Sequence, residues 1–167
     1  MPFVLCDESW FGKSAGLLGK GLVAGFLGTV AITISQSIEM KKTGREPSNT
    51  PFLAAQKVFE INAQNEIAEK KLINIVHFGY GTSLGVIRGV LNILGIKGLI
   101  GTLIHISIVQ ALSMIFLPQL NLAPPAREWE KKTVLTELLH HGVYGIIAGI
   151  FFDWMNRCIR KTKLAIK

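Results

Sequence analysis

Apolar residues along this chain collect into four long runs, which charged or proline-containing stretches separate. Each run holds enough apolar residues to cross the ~30 Å hydrocarbon core of a bilayer as a helix. The pattern predicts an all-α fold, an integral membrane bundle of four transmembrane helices that forms one domain over residues 1–167. The predicted spans cover about residues 21–38, 72–94, 99–117 and 134–155.

A fifth helical segment is predicted between the first and second spans. Thr50 and Pro51 form a helix start signal, a cap residue followed by proline in the first turn. No glycine or proline follows until the second span, and Phe52, Ala55 and Phe59 recur at helical spacing. We therefore expect an amphipathic helix over about 52–70, with no break signal before the second span.

Composition supports a membrane location. Hydrophobic residues make up 49% of the chain and charged residues 17%, below the ~25% of typical soluble domains. The net charge of +7 arises from basic residues that flank the apolar runs, where they contact anionic headgroups. The sequence shows no basic face with aromatic or polar side chains that could contact nucleic-acid bases, so nucleic acid is not an expected partner. Cys6 and Cys158 form no motif, and no signal peptide is expected.

Orientation follows from the number of spans and the positions of basic residues. Four spans place both termini on one side, and the turn at residues 95–98 lies on that side too. Basic residues are nearly equal on the two sides, but a dense basic tail over 157–167 abuts the last span. We expect the termini in the cytoplasm and the protein in a bacterial inner membrane.

Small residues recur every fourth position in three of the predicted spans. Helices in lipid gain most where small residues let their backbones approach closely. We therefore predict that these glycines form helix-packing grooves of the GxxxG type, either within the bundle or against another protein. They are Gly21, Gly25, Gly81, Gly85, Gly89, Gly145 and Gly149.

Two ionisable residues lie at matching depths inside the predicted bundle. Arg88 lies near the end of the second span and Asp153 near the end of the fourth, both toward the termini. Charged groups at membrane depth are costly unless they pair or reach the interface. We expect an intramembrane ion pair between Arg88 and Asp153, with separate snorkelling to the headgroups as the alternative.

Acidic, histidine and tyrosine residues collect near the opposite side of the bundle. In the fourth span they follow the spacing i, i+3, i+4, i+7, which places them on one helix face. The ends of the first and second spans supply two more at the same level. The candidate ligand or polar site comprises Glu39, His77, Glu137, His140, His141 and Tyr144.

This cluster allows three functional interpretations and one structural interpretation. Glu137 and His140 have the E-x-x-H spacing of carboxylate-bridged metal bundles, but a di-iron site needs two such motifs, so a single metal is the remaining metal option. Haem b between His77 and His140 is a second option. A pocket for protons, a quinone or a lipid headgroup is a third. Alternatively, the histidines hydrogen-bond between helices near the interface.

In its layout the chain resembles the small, uncharacterised bacterial inner-membrane proteins of the YagU-like type. The resemblance lies in a glycine-rich first span, the loop from Thr43 to Ser48, a histidine in a later span, and the stretch Leu122-Ala123-Pro124-Pro125. It implies an inner-membrane four-helix protein. No activity and no functional residue follows from it.

No Ser-His-Asp set, phosphate-binding glycine loop or zinc H-E-x-x-H motif occurs, so the sequence predicts no catalytic residue. The small size and the glycine grooves favour a non-catalytic accessory or scaffold subunit of a larger membrane complex, with other membrane subunits as partners. The alternative is a redox component, with haem or metal, or a proton or solute transport component that uses the His/Glu cluster.

Overall fold

Helices account for nearly all of the regular structure of this chain. The computed structural model describes residues 9–46 and 49–165, with side chains as far as Arg157. Of these residues 84% are helical and none lies in a strand, so the protein is all-α. Cys6, the side chain of Cys158 and the basic side chains beyond Arg157 lie outside this description, as do Pro47 and Ser48. The helices are α1 (Trp10–Thr43), α2 (Thr50–Phe59), α3 (Glu66–Ile93), α4 (Gly98–Gln119) and α5 (Lys131–Ala165), with a 3-10 turn at Ala126–Glu128.

Three helices of the described chain are long and apolar enough to cross a membrane. They are α1, α4 and the part of α5 from Lys131 to Arg157, and they are consistent with a membrane protein. The helix α3 does not join them, because polar residues such as Asn74, His77 and Arg88 interrupt its apolar stretch. The assignment of the chain as a membrane protein therefore rests on three candidate spans.

The first predicted span belongs to a longer helix. Ser9 caps the start of α1, where its Oγ accepts a hydrogen bond of 3.1 Å from the backbone N–H of Gly12. Gly44 ends the helix in the left-handed conformation (φ 72°) that glycine adopts without strain. Residues 10–20, which include aromatic and basic side chains, therefore belong to the same helix as the first predicted span.

The predicted amphipathic helix over 52–70 is two helices in the structure. The first, α2, ends at Phe59 because Glu60 adopts a left-handed conformation (φ 54°). Asn65 then starts α3, and its Oδ1 accepts a 2.9 Å hydrogen bond from the N–H of Ala68. The segment between the helices contains two asparagines, and asparagine favours caps and turns over helix interiors. Residues 66–70 therefore belong to α3.

The helix α1 lies between α3 and α5, and all seven predicted glycines lie at contacts within the bundle. A Cβ added at Gly21 or Gly25 would lie 2.5 Å from a backbone carbonyl oxygen of α3. The glycines of α5 leave room for side chains of α4, so that Ile106 packs against Gly145 and Thr102 packs against Gly149. Close approach at these small residues holds α3 to α1 and α4 to α5.

The helices α3 and α4 contact each other on the termini side of the bundle and at mid-bundle. Their connection is a tight turn in which Gly95 has a φ of 85° and Gly98 a φ of 59°. Near it, Arg88 of α3 reaches the carbonyl oxygen of Gly98 and packs beside Gly101 of α4. Toward the other side, which carries residues 44–46, 49–65 and 120–130 and is called the loop side, a cavity lies between the two helices.

Candidate functional site

A cavity of about 1050 Å³ occupies the loop-side half of the bundle. Its walls come from α3 and α4 between mid-bundle and the loop side, from one face of α1, from α2, from the segment 120–130 and from the start of α5. Most of the lining is apolar, with side chains such as Val76, Leu84, Val109 and Leu112. Polar groups are concentrated where α1, α3 and α5 meet the loop side: Gln36, Arg45, His77, Glu137 and His141.

The short helix α2 covers the loop-side part of this cavity. Phe52 is buried against the bundle, with 1% of its surface exposed, and Ala55 is buried one turn later. Lys57 donates a 2.5 Å hydrogen bond from Nζ to the carbonyl oxygen of Leu120 at the end of α4. The helix is thus attached to α4 by this bond and to α3 by packing, and its inner face forms part of the cavity wall.

The first polar group of the predicted site joins α1 to α5. His140 is buried, and its Nδ1 lies 2.9 Å from the Oγ of Ser35. Its Nε2 lies 3.8 Å from an Oε2 of Glu39, too far for a hydrogen bond. The same carboxylate oxygen accepts two hydrogen bonds from Arg45, from Nε at 3.0 Å and from Nη2 at 2.8 Å. Arg45 therefore provides the positive charge that neutralises Glu39.

The second group joins α5 to α4. The Nδ1 of His141 lies 2.8 Å from the Oε1 of Gln110. An amide oxygen only accepts, so the ring donates its Nδ1–H and leaves Nε2 as an acceptor in the neutral form. That Nε2 lies 3.9 Å from an Oε2 of Glu137, whose side chain is 35% exposed. Both His141 and Glu137 line the cavity.

The third group joins α3 to α1. The hydroxyl of Thr33 donates its hydrogen to the carbonyl oxygen of Thr29 at 2.7 Å. It must therefore accept from the Nε2–H of His77, which lies 3.0 Å away. In the neutral ring this leaves Nδ1 unprotonated, with a lone pair that can accept a hydrogen bond. His77 lines the cavity and Thr33 does not.

Tyr144, the last residue of the predicted set, fixes the inner end of the cavity. Its ring is buried, and its hydroxyl donates a 2.8 Å hydrogen bond to the carbonyl oxygen of Gly81. The ring also stands edge-on to His105 at a centroid distance of 5.6 Å. His105 is fully buried and donates from Nε2 to the carbonyl oxygen of Leu84 at 3.0 Å. These bonds tie α5 and α4 to α3 at mid-bundle.

The six predicted site residues thus lie at the loop-side half but form separate pairings. His77, His140, His141 and Tyr144 each form one hydrogen bond to a hydroxyl, amide or carbonyl group of a neighbouring helix, whereas the buried Nε2 of His140 has no hydrogen-bond partner among the described residues. Glu39 and His140 are not part of the cavity lining, whereas Arg45, which bonds to Glu39, is part of it. His77, Glu137, His141 and Tyr144 line the cavity.

The geometry does not fit a haem between His77 and His140. Their partners, Thr33 and Ser35, are two residues apart on α1. Such residues point about 200° apart around a helix, so the two rings lie on opposite sides of α1. Among the described residues, no group of three or more His, Cys, Asp or Glu side chains is arranged to hold a metal ion.

Arg88 and Asp153 form an ion pair with an Nη2–Oδ1 distance of 2.6 Å. The arginine is fully buried, and its guanidinium carbon lies 4.6 Å from the centre of the Phe152 ring. The carboxylate remains 22% exposed. The pair joins α3 to α5 on the termini side, away from the cavity.

Several residues that shape this half of the bundle were not singled out from the sequence. Gln110 orients His141, and it is a polar residue inside an apolar span, which is a detectable signal. Thr33 and Ser35 orient two histidines, but hydroxyl residues are common in membrane helices and carry no such signal. The role of Arg45 depends on its contact with Glu39, which spacing alone does not reveal.

Comparison of the chain with protein-family models, with curated proteins and with solved structures gave no match. The similarity in layout to the YagU-like proteins stays a prediction.

Proposed function

We propose that this protein is a multi-pass membrane protein that binds one amphiphilic, lipid-like molecule in the cavity between α3 and α4. The observation that carries the proposal is the cavity of about 1050 Å³, apolar along most of its wall and polar at its loop-side end. Its volume is at the upper end of the ~300–1,000 Å³ of ordinary ligand pockets. An apolar tail fits the wall, and a polar head group fits the end.

We also propose that α3 crosses the membrane as a fourth span. The support is its antiparallel contact with α1: Thr33 contacts His77, Thr29 contacts Gly81, and Gly21 contacts Gly85. These contacts follow the apolar part of α1, so α3 accompanies α1 wherever α1 crosses. At ~1.5 Å per residue its 28 residues reach about 42 Å, more than the ~30 Å required.

Four crossings would make the cavity an intramembrane site. Its wall residues on α3 and α4 would then lie at the depth of lipid acyl chains, and its polar end near one headgroup region. A lipid-like molecule would enter between α3 and α4 without leaving the bilayer. The bonds of α2 to α4 would restrict entry from the loop side.

The experiment is native mass spectrometry of the full chain, released from lipid nanodiscs, with two matched glycine substitutions. Gly79 lines the cavity, and a Cβ built there meets no atom of a neighbouring described segment within 4 Å. Gly142 is equally open at its Cβ but does not line the cavity. Gly79→Phe therefore fills cavity space, and Gly142→Phe is the control.

We expect one lipid-like adduct per chain on the parent protein and on Gly142→Phe, and its loss on Gly79→Phe. Adducts that are equal on all three proteins, or that occur in variable number, would contradict the proposal, since lipids bound on the outer surface behave in that way. Circular dichroism checks that both variants keep their helical content.

The accessory-subunit function stays a prediction with less support. One of its sequence arguments was the presence of several glycine grooves, yet Gly21, Gly25 and Gly85 contact one another within the bundle. Co-purification from native membranes in a fixed ratio with another subunit would support it. The redox alternative is tested by a visible spectrum and metal analysis of the same sample.

A further inference from the structure

The polar groups on the cavity wall differ in whether they are free to donate or to accept hydrogen bonds. Four hydroxyl groups of the wall already donate their hydrogens to backbone carbonyl oxygens: Thr29 to Gly25, Ser83 to Tyr80, Ser113 to Gln110 and Tyr144 to Gly81. The indole N–H of Trp129 is used in the same way, on Pro124. These five donors are therefore unavailable to a ligand, whereas the hydroxyl oxygens keep lone pairs.

The histidines at the polar end add further acceptors. His77 lines the cavity and uses its Nε2–H on Thr33, which leaves an unprotonated Nδ1 that can accept a hydrogen bond. His141 uses its Nδ1–H on Gln110 and keeps an unprotonated Nε2. That Nε2 lies 3.9 Å from an Oε2 of Glu137, and since both atoms are acceptors, a ligand hydroxyl can donate its hydrogen to either of them.

The charges on the wall disfavour an anionic head group. The described lining contains three carboxylates, on Glu128, Glu130 and Glu137, and one arginine, Arg45. Both the Nε and the Nη2 of Arg45 are bonded to Glu39. A negatively charged head group would therefore meet three carboxylates and one arginine, whose charge Glu39 already neutralises.

We infer that the amphiphile is an uncharged lipid whose head group donates hydrogen bonds through free hydroxyl groups, as a monoacylglycerol does. Its hydroxyl hydrogens meet His77 and the pair formed by His141 and Glu137. Its hydroxyl oxygens meet groups that both donate and accept, such as the amide of Gln36 and the hydroxyl of Tyr80. The acyl chain lies along the apolar walls of α3 and α4. This inference rests on the proposed function.

The test compares three ligands that share one 18-carbon chain and differ only in the head group. These are 1-monooleoylglycerol, with two free hydroxyls, methyl oleate, which is uncharged and only accepts, and oleyl sulfate, which is anionic. Each is titrated into the full-length protein, and the bound fraction is measured by native mass spectrometry. Gly79→Phe serves as the blocked-cavity reference.

We expect monooleoylglycerol to bind about tenfold more tightly than either of the other ligands, the ratio given by one or two net hydrogen bonds. We also expect His77→Phe, which keeps an aromatic ring but removes the acceptor, to reduce the difference in affinity between monooleoylglycerol and methyl oleate. The ratio of two affinities within one variant is insensitive to a general weakening of the fold.

The outcomes separate this inference from the proposed function. Equal binding of monooleoylglycerol and methyl oleate, or preferred binding of oleyl sulfate, overturns the assignment of the head group and leaves an amphiphile cavity. If none of the three ligands binds the parent protein better than it binds Gly79→Phe, both the inference and the proposed function are overturned.

Discussion

Replacing Gly85 with alanine tests the closest approach in the bundle, between α1 and α3. A Cβ built at Gly85 lies 2.6 Å from the Cα of Gly25 and 2.7 Å from its backbone N, and it also meets the carbonyl oxygen of Gly21. All these neighbours are backbone atoms, so no side chain can rotate away. Carbon atoms prefer separations of ~3.5–4.0 Å, and α1 and α3 must therefore move apart by about 1 Å.

The cost of this separation follows from the contacts that it loosens. A gap of ~0.5–1 Å removes about a quarter to a half of the attractive energy of each van der Waals contact. Overpacking of this kind costs ~1–3 kcal/mol in measured cores. Alanine regains ~1 kcal/mol of helix propensity, and so a second glycine-to-alanine change is needed to cancel that gain.

Gly79→Ala on the same helix is that control, because its Cβ meets open space in the described chain. We expect Gly85→Ala to be ~2 kcal/mol less stable than Gly79→Ala, which corresponds to a melting temperature about 4–8 °C lower. Circular dichroism melts in one detergent at one scan rate measure the difference. If the two variants melt at the same temperature, the α1–α3 packing described above is refuted.

Three further changes test other contacts. Asp153→Asn leaves the buried charge of Arg88 unpaired, and a double-mutant cycle with Arg88→Gln should give a coupling energy of ~1–3 kcal/mol. If the two changes in unfolding free energy simply add in the double variant, the ion pair is excluded. Ser35→Ala removes the hydroxyl partner of the buried His140 and should cost ~1–3 kcal/mol; unchanged melting would contradict that bond. Lys57→Met removes the bond from α2 to α4, so amide hydrogen exchange in α2 should accelerate while that in α1 does not.

The helices could be predicted where an apolar run or a cap residue within the same stretch of sequence marks them. The turn between Gly95 and Gly98 follows from two glycines that both adopt positive φ. The break between Phe59 and Glu66 was missed because neither glycine nor proline marks it, and the chain instead uses a left-handed glutamate and an asparagine cap. Such a break depends on side-chain hydrogen bonds that compete with the helix.

The depth of the candidate residues could be predicted from the sequence, but the partners of the histidines could not. Counting residues from the ends of the spans placed Arg88 near Asp153, and the structure pairs them. The same counting placed His77 and His140 at one level, yet they lie on opposite sides of α1, because rotation of each helix about its axis is not encoded in depth. The cavity depends on how far α3 and α4 diverge, which results from packing among all the helices.

Binding of a monoacylglycerol in the cavity can be measured by photo-crosslinking in lipid nanodiscs. The ligand carries a diazirine in its acyl chain, and mass spectrometry maps the labelled residues. We expect labels on α2 and on the cavity sides of α3 and α4, at residues such as Ala54, Val76 and Leu112, and we expect excess unlabelled monooleoylglycerol to remove them. Labels confined to outward-facing residues such as Phe26 and Ile150, unchanged by competitor, would contradict binding in the cavity.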